Sequence, residues 1–216
     1  MAKKEKSINV QDVILNYFDN LELQDIKTGI PDIDSGMLIS QSSFTLIAGV
    51  TGSSKTAYML NIANYNINKG KCALFINLKD SVENLSMKIL SMNTMTPIKK
   101  LLLGQINEQE GSLCIENIIT NENNSLFFYN ASSDYFKLDR ILLTIKESNA
   151  DLVIIDDLQM IELEKEEAKR NKYVKDKMDY ILKRIKALCL QSGIPIIGTY
   201  CISTKKLVSE QTIDQC

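Results

Sequence analysis

"TLIAGVTGSSKTAYMLNIA", Thr45 to Ala63, joins an apolar run to a loop of small residues and then to a segment with helical spacing. The order strand, loop, helix is that of a phosphate-binding loop, G-x-x-x-x-G-K-[ST], with one departure: Ser54 stands where glycine precedes the lysine. Such a loop works because backbone N–H groups and the positive end of a helix surround an anion, while a lysine and a hydroxyl add charge and a metal contact. On this pattern Gly49, Thr51, Gly52, Ser53 and Ser54 form the cradle for ATP, Lys55 holds the β- and γ-phosphates, and Thr56 coordinates Mg²⁺. If position 54 needs a left-handed backbone, serine costs about 1–2 kcal/mol there. A string as short as Ser-Lys-Thr also occurs by chance, so the surrounding chain has to decide.

Working outward, short apolar runs alternate with helical patterns, the signature of an α/β fold with a mostly parallel sheet. Phe44 to Gly49 predicts a buried strand, and Met59, Ile62, Ala63 and Ile67 share one face of a helix that Lys69-Gly70 closes. Cys72 to Leu78 is the next strand; Ser81 then caps a helix burying Val82, Leu85, Ile89 and Met92. Thr94 to Asn124 predicts two short helices and a polar loop. Further strands are expected at Leu126–Tyr129, Asp151–Asp157 and Ile194–Tyr200, separated by helices burying Leu138, Ile141, Leu142 and Ile145, then Val174, Met178, Ile181, Ile185 and Leu188. The charged stretch from Glu162 to Lys177 predicts a solvated helix with i,i+4 pairs such as Glu166 with Arg170, rather than a nucleic-acid contact.

The strand "DLVIIDD" ends in two acids about 100 residues after Lys55. An acid at such a place supports the metal ion of a phosphate loop, and Asp156 is the candidate beside Thr56. The alternative is that Lys55 caps a surface turn and Asp156 ends an ordinary strand. Asp157 has two readings as well, a catalytic base or a solvent-facing acid at a strand end.

Composition bounds the rest. The 216 residues, 44% hydrophobic and 24% charged, suffice for one well-buried domain. A net charge of −2 and only three arginines give no global field for nucleic acid. With no histidine, neither a zinc site built with one nor Ser-His or Cys-His catalysis is available. The five cysteines form no C-x-x-C pair and are expected as free thiols. No apolar run approaches the ~20 residues of a membrane span, and the basic start lacks the apolar core of a signal peptide, so a cytoplasmic protein is expected.

Several motifs in order resemble bacterial replicative DNA helicases of the DnaB type: "TGIPDIDSGM" (Thr28 to Met37), "GVTGSSKTAYMLNIA", "FINLKDSVENL" (Phe75 to Leu85), "LVIIDDLQMI" (Leu152 to Ile161) and "IPIIGTY". The resemblance spans about Lys27 to Ser203. It implies a RecA-like P-loop domain of a ring-forming, ATP-driven motor on single-stranded DNA. It also exposes departures. The acid that activates the attacking water in the family is Lys79 here, and a strand-end amide that senses the γ-phosphate is replaced by Cys201. Asp80 is a weaker substitute for the missing acid. The sequence stops at Cys216, before the place of the family's trans-acting arginine, and Val10 to Leu21 resembles the linker helix that docks on a neighbouring subunit.

Residues 1–26 are thus expected as a segment with that linker-like helix, 27–204 as the RecA-like domain and 205–216 as a tail. The leading expectation is a replicative-helicase motor domain that binds nucleotide but hydrolyses it poorly. An ATPase using Asp157 as base, and a non-enzymatic module that docks on a helicase ring, are the alternatives. The partners in view are single-stranded DNA, helicase subunits or copies of the chain itself.

Overall fold

Two five-residue strands with no polar residue before their last position, "ALFIN" and "LVIID", lie side by side and are buried on both faces. Because successive side chains of a strand point oppositely, each feeds two separate cores. Leu74, Ile76, Val153 and Ile155 pack with Ile141, Ile145, Ile181 and Ile185 on one side. Ala73, Phe75, Leu152 and Ile154 pack with Met59, Leu60, Ile62 and Leu85 on the other. The result is a helix–sheet–helix sandwich.

The computed structural model describes residues 10–11, 26–120, 126–130, 136–171 and 173–203. Its elements are α1 (Pro31–Asp34), β1 (Phe44–Val50), α2 (Lys55–Ile67), β2 (Ala73–Asn77), α3 (Val82–Thr94), α4 (Ile98–Leu103), α5 (Glu108–Thr120), β3 (Leu126–Asn130), α6 (Leu138–Glu147), β4 (Leu152–Asp156), α7 (Lys165–Arg170), α8 (Val174–Ser192) and β5 (Ile196–Ile202). A 3-10 turn, Leu158–Met160, follows β4. The sheet runs β1-β5-β4-β2-β3 with every pairing parallel. Of the linker-like stretch, Val10 and Gln11 are helical; the rest of it lies outside the described residues, as does the tail from residue 205.

The expected elements are present, with differences: Val82, expected to be buried, is only half-buried, and the charged stretch is split between α7 and the start of α8. The last strand starts at Ile196 rather than Ile194, because Gly193 turns left-handed at φ 78° and Pro195 has no N–H to give the ladder. Val174, expected to face inward, is 74% exposed; it opens α8 a full turn before Met178 meets the core. The charged helix pairs Glu166 with Lys169 at 2.8 Å, one residue earlier than Arg170. Both side chains are more than two-thirds exposed, so the pair contributes little. Cys114 and Cys189 are buried free thiols, and burial pushes Cys189 up to about 11.

The motif "TGIPDIDSGM" is a structural clasp. The Asp34 carboxylate accepts hydrogen bonds from the Thr28 N–H and hydroxyl, both at 2.7 Å, and from the Gly29 N–H at 3.0 Å. Burial pushes the Asp34 carboxyl up, yet these donors outweigh it and hold the group below its ordinary value. Asn61 of α2 then donates to the Thr28 carbonyl at 2.9 Å. Gly29 sits at φ 78°, and a Cβ there would lie 2.7 Å from the Tyr65 ring, so only glycine lets the clasp close on α2.

Candidate functional site

Strand β1 delivers the chain into the loop Thr51–Ser54, and α2 begins at Lys55. The Lys55 ammonium donates to the carbonyls of Gly49 at 2.8 Å and Val50 at 2.7 Å, and reaches the Ser53 hydroxyl at 3.4 Å. The loop therefore folds around its own lysine. A Cβ at Gly49 would approach Ser53 Oγ to 2.7 Å, so a side chain there would have to turn the Ser53 hydroxyl off the Val50 carbonyl. At the start of α2 no side chain caps the helix and no acid occupies its first turn. The positive end of a 13-residue helix is left to an incoming anion.

Ser54 adopts φ 58°, ψ 25°, the left-handed region where the pattern places glycine. The serine costs about 1–2 kcal/mol in that conformation. Glycine would return roughly 0.5–1 kcal/mol of that through its greater freedom when unfolded. Ser54→Gly is therefore expected to stabilise the protein by about 0.5–1 kcal/mol, seen as a higher urea midpoint. An unchanged or lower midpoint would mean that the serine side chain compensates.

The strand pleat explains how the acid meets the loop. Asp156 continues the Leu152–Ile154 face of β4, and Thr199 continues the Ile197 face of β5; both faces look toward α2. Asp156 is 1% exposed and both its oxygens are engaged. Oδ2 accepts the Thr56 hydroxyl at 2.5 Å, and Oδ1 accepts the buried Thr199 hydroxyl at 2.5 Å. Thr56 and Asp156, expected to meet, are thus in direct contact across 100 residues. Thr199 was not expected; its aliphatic hydroxyl near the end of the otherwise mostly apolar run "IPIIGTY" was the available signal.

Asp157 departs from the reading of a solvent-facing acid. It is 2% exposed, so it does not face solvent. Its Oδ2 is paired with Lys79 at 2.6 Å, and its Oδ1 accepts the Gln159 N–H at 3.1 Å, so it is not a free base in this arrangement either. Burial pulls Lys79 down, but the hydrogen bond and charge of Asp157, with Asp156 and Cys201 adding, leave it above the ordinary lysine value. The Lys79 cation is therefore spent on the end of the neighbouring strand, β4. Asp80 turns away instead: Lys88, with which it is ion-paired, does most to hold its carboxyl below the ordinary range. Asn77 shapes this corner, accepting the N–H groups of Lys79 at 3.2 Å and Asp80 at 2.9 Å.

At the end of β5 the Cys201 thiol lies 3.2 Å from the Thr51 hydroxyl, and the Cys201 N–H donates to Gln159 Oε1 at 2.9 Å. Thr51, Gln159 and Cys201 line one open cleft beside the loop.

A profile of the "DnaB-like helicase C terminal domain" matches residues 25–208. The chain belongs to this family. Similar proteins include a "Probable replicative DNA helicase" of Trieres chinensis, 28% identical over 182 residues, covering 82% of this chain and 39% of the relative. A "Probable plasmid replicative DNA helicase" of Chlamydia psittaci is 28% identical over 196 residues, covering 88% of this chain and 41% of that one. The chain thus spans about two-fifths of the length of these relatives. Among solved structures, one of an ATPase domain superposes with a TM-score of 0.75 at 16% identity, covering 93% of this chain and 73% of that one. A DnaB-like replicative helicase, solved in a study of its interactions with primase, gives 0.73 at 14%, covering 94% and 51%. The RecA-like fold expected from the motifs is the fold of this DnaB-family domain.

Proposed function

We propose that this chain is an ATP- and Mg²⁺-binding domain of helicase-motor descent that holds nucleotide but turns it over slowly. The observation that carries this reading is the 2.5 Å bond between Thr56 and Asp156 at the mouth of the loop that encloses Lys55. It places a hydroxyl and a carboxylate, two hard oxygen donors, together beside the anion-ready end of α2. Among the described residues no group of three or more histidine, cysteine or acidic side chains gathers to hold an ion. That donor set suits Mg²⁺, which keeps several waters and enters with phosphates rather than in an all-protein cage. Bound there by Thr56 and Asp156, the ion would neutralise phosphate charge. Lys55 and the loop N–H groups of Gly52, Ser53 and Ser54 would position the phosphates.

Slow turnover follows from Lys79. A positioned general base is worth roughly 10²–10⁴ in rate, and the one acid adjoining Asp156 in sequence is tied up by a lysine. We propose residues 27–204 as the nucleotide-binding unit, 1–26 as a segment that docks on a neighbouring subunit and 205–216 as a tail. The setting proposed is DNA replication in the cytoplasm, in assemblies with copies of itself or helicase subunits and with single-stranded DNA. No helix among the described residues is long and apolar enough to cross a membrane.

The test is nucleotide titration of wild type and Lys55→Ala, which removes one charge-assisted contact and is expected to weaken ATP binding about tenfold or more. Equal and negligible binding by both would sink the nucleotide site and favour a non-enzymatic docking module. Rapid phosphate release by wild type with single-stranded DNA, lost in Asp157→Asn, would instead establish an active ATPase.

A further inference from the structure

The sheet has a short ladder between β4 and β5, whose register runs from Val153 and Ile196 only to Ile155 and Gly198. Strand β5 continues beyond it to Ile202, so the N–H of Cys201 needs a partner that β4 no longer supplies. Gln159 fills that place from the turn after β4, its Oε1 accepting the Cys201 N–H at 2.9 Å. A backbone N–H can only donate, so the oxygen must be the bound end and the amide nitrogen the other. That Nε2 group has no hydrogen bond to any described residue, and Gln159 lines the cleft that Thr51 of the phosphate loop also lines. The turn itself is fixed by the Gln159 N–H on buried Asp157. A neutral amide donor is therefore held by its oxygen at one strand end and presents its NH₂ beside the loop.

Resting on the nucleotide-binding reading, we propose that the Gln159 amide, held by its oxygen on the Cys201 N–H, contacts the terminal phosphate from the cleft it shares with Thr51. Two neutral N–H donors suit the charged γ-phosphate oxygens of a nucleoside triphosphate, and a diphosphate leaves them nothing to bind. Gln159 then confers a preference for triphosphate over diphosphate, whereas Lys55 serves both.

The experiment is a titration of the full chain with fluorescent ATP and ADP analogues in Mg²⁺, together with a thermal melt. Gln159→Glu keeps an oxygen for the Cys201 N–H, so its midpoint should stay at the wild-type value. It replaces the donor by an anion, so ATP affinity should fall about tenfold or more while ADP affinity stays within about twofold. Gln159→Met loses the strut as well, and should show the same ATP-selective loss with a lower midpoint. If both variants keep the wild-type ratio of ATP to ADP affinity, Gln159 is a strut alone and the proposal falls while the nucleotide site stands. Wild type that binds neither nucleotide overturns the site and the proposal together.

Discussion

Asp156→Asn is expected to leave the protein folded and to remove the Mg²⁺-dependent gain in ATP affinity, about a hundredfold, or near 2.8 kcal/mol. The carboxylate accepts one hydroxyl on each oxygen, from Thr56 and from Thr199. An asparagine keeps one acceptor and offers an NH₂ to the other threonine, whose hydroxyl can turn to accept it. The fold should therefore lose only about 1–2 kcal/mol, while the negative charge that recommends the site to a divalent cation is gone. Asp156→Ala is a different case. Thr199 is fully buried, and its hydroxyl would be left without an acceptor, for a total loss of about 3 kcal/mol. Nucleotide titration with Mg²⁺ and with a chelator measures the first effect, and urea unfolding the second. An Asn variant with the wild-type ratio between the two titrations would remove Asp156 from the metal site.

Lys79→Met is expected to destabilise the protein by about 2 kcal/mol. Removing one partner of a fully buried pair costs about 3–5 kcal/mol, because the other charge is left uncompensated. Asp157 is 2% exposed, but the Lys79 side chain is 37% exposed, so water recovers part of that cost. Adding Asp157→Asn should restore much of the loss, because the charge that needed a partner is then absent. The pH dependence has a definite sign. The folded-state pKa of Lys79 is raised, so its contribution is complete below the unfolded value of about 10.4 and disappears as pH rises through the higher folded one. The stability gap between wild type and Lys79→Met should hold across neutral pH and close only in strong alkali. A gap still open there, or a double variant no better than the single, would separate the two residues energetically.

Element type was legible wherever one period governed a segment. The strands around Ile47, Phe75, Ile154 and Ile197 and the helices between them follow from apolar spacing alone, and the site's poles, Lys55, Thr56 and Asp156, follow from loop chemistry. The sheet order was not legible, and the site contacts that went unread are those that depend on it. Placing β5 between β1 and β4 brings Thr199 onto Asp156 and Cys201 beside Thr51, contacts that no local spacing encodes. Asp157 defied its sequence context for a related reason. A strand-end acid is ordinarily solvated, and its burial depends on Lys79 arriving from the end of β2. Gln159 carries no signal in the sequence because its role depends on where one ladder stops.

The double-faced burial of β2 and β4 bears on how much error the site tolerates. Every residue of β4, including Asp156, is buried, and the helices that carry the two cores hold it from both sides. The acid has no slack of its own: it stands where the interior puts it, within a hydroxyl's reach of α2. A cavity opened under Ile154 or Ile62 would thus move the alignment of Thr56 and Asp156 before it unfolded anything. Repacking the interior, far from any phosphate, would retune the chemistry like a change in the length of an optical bench.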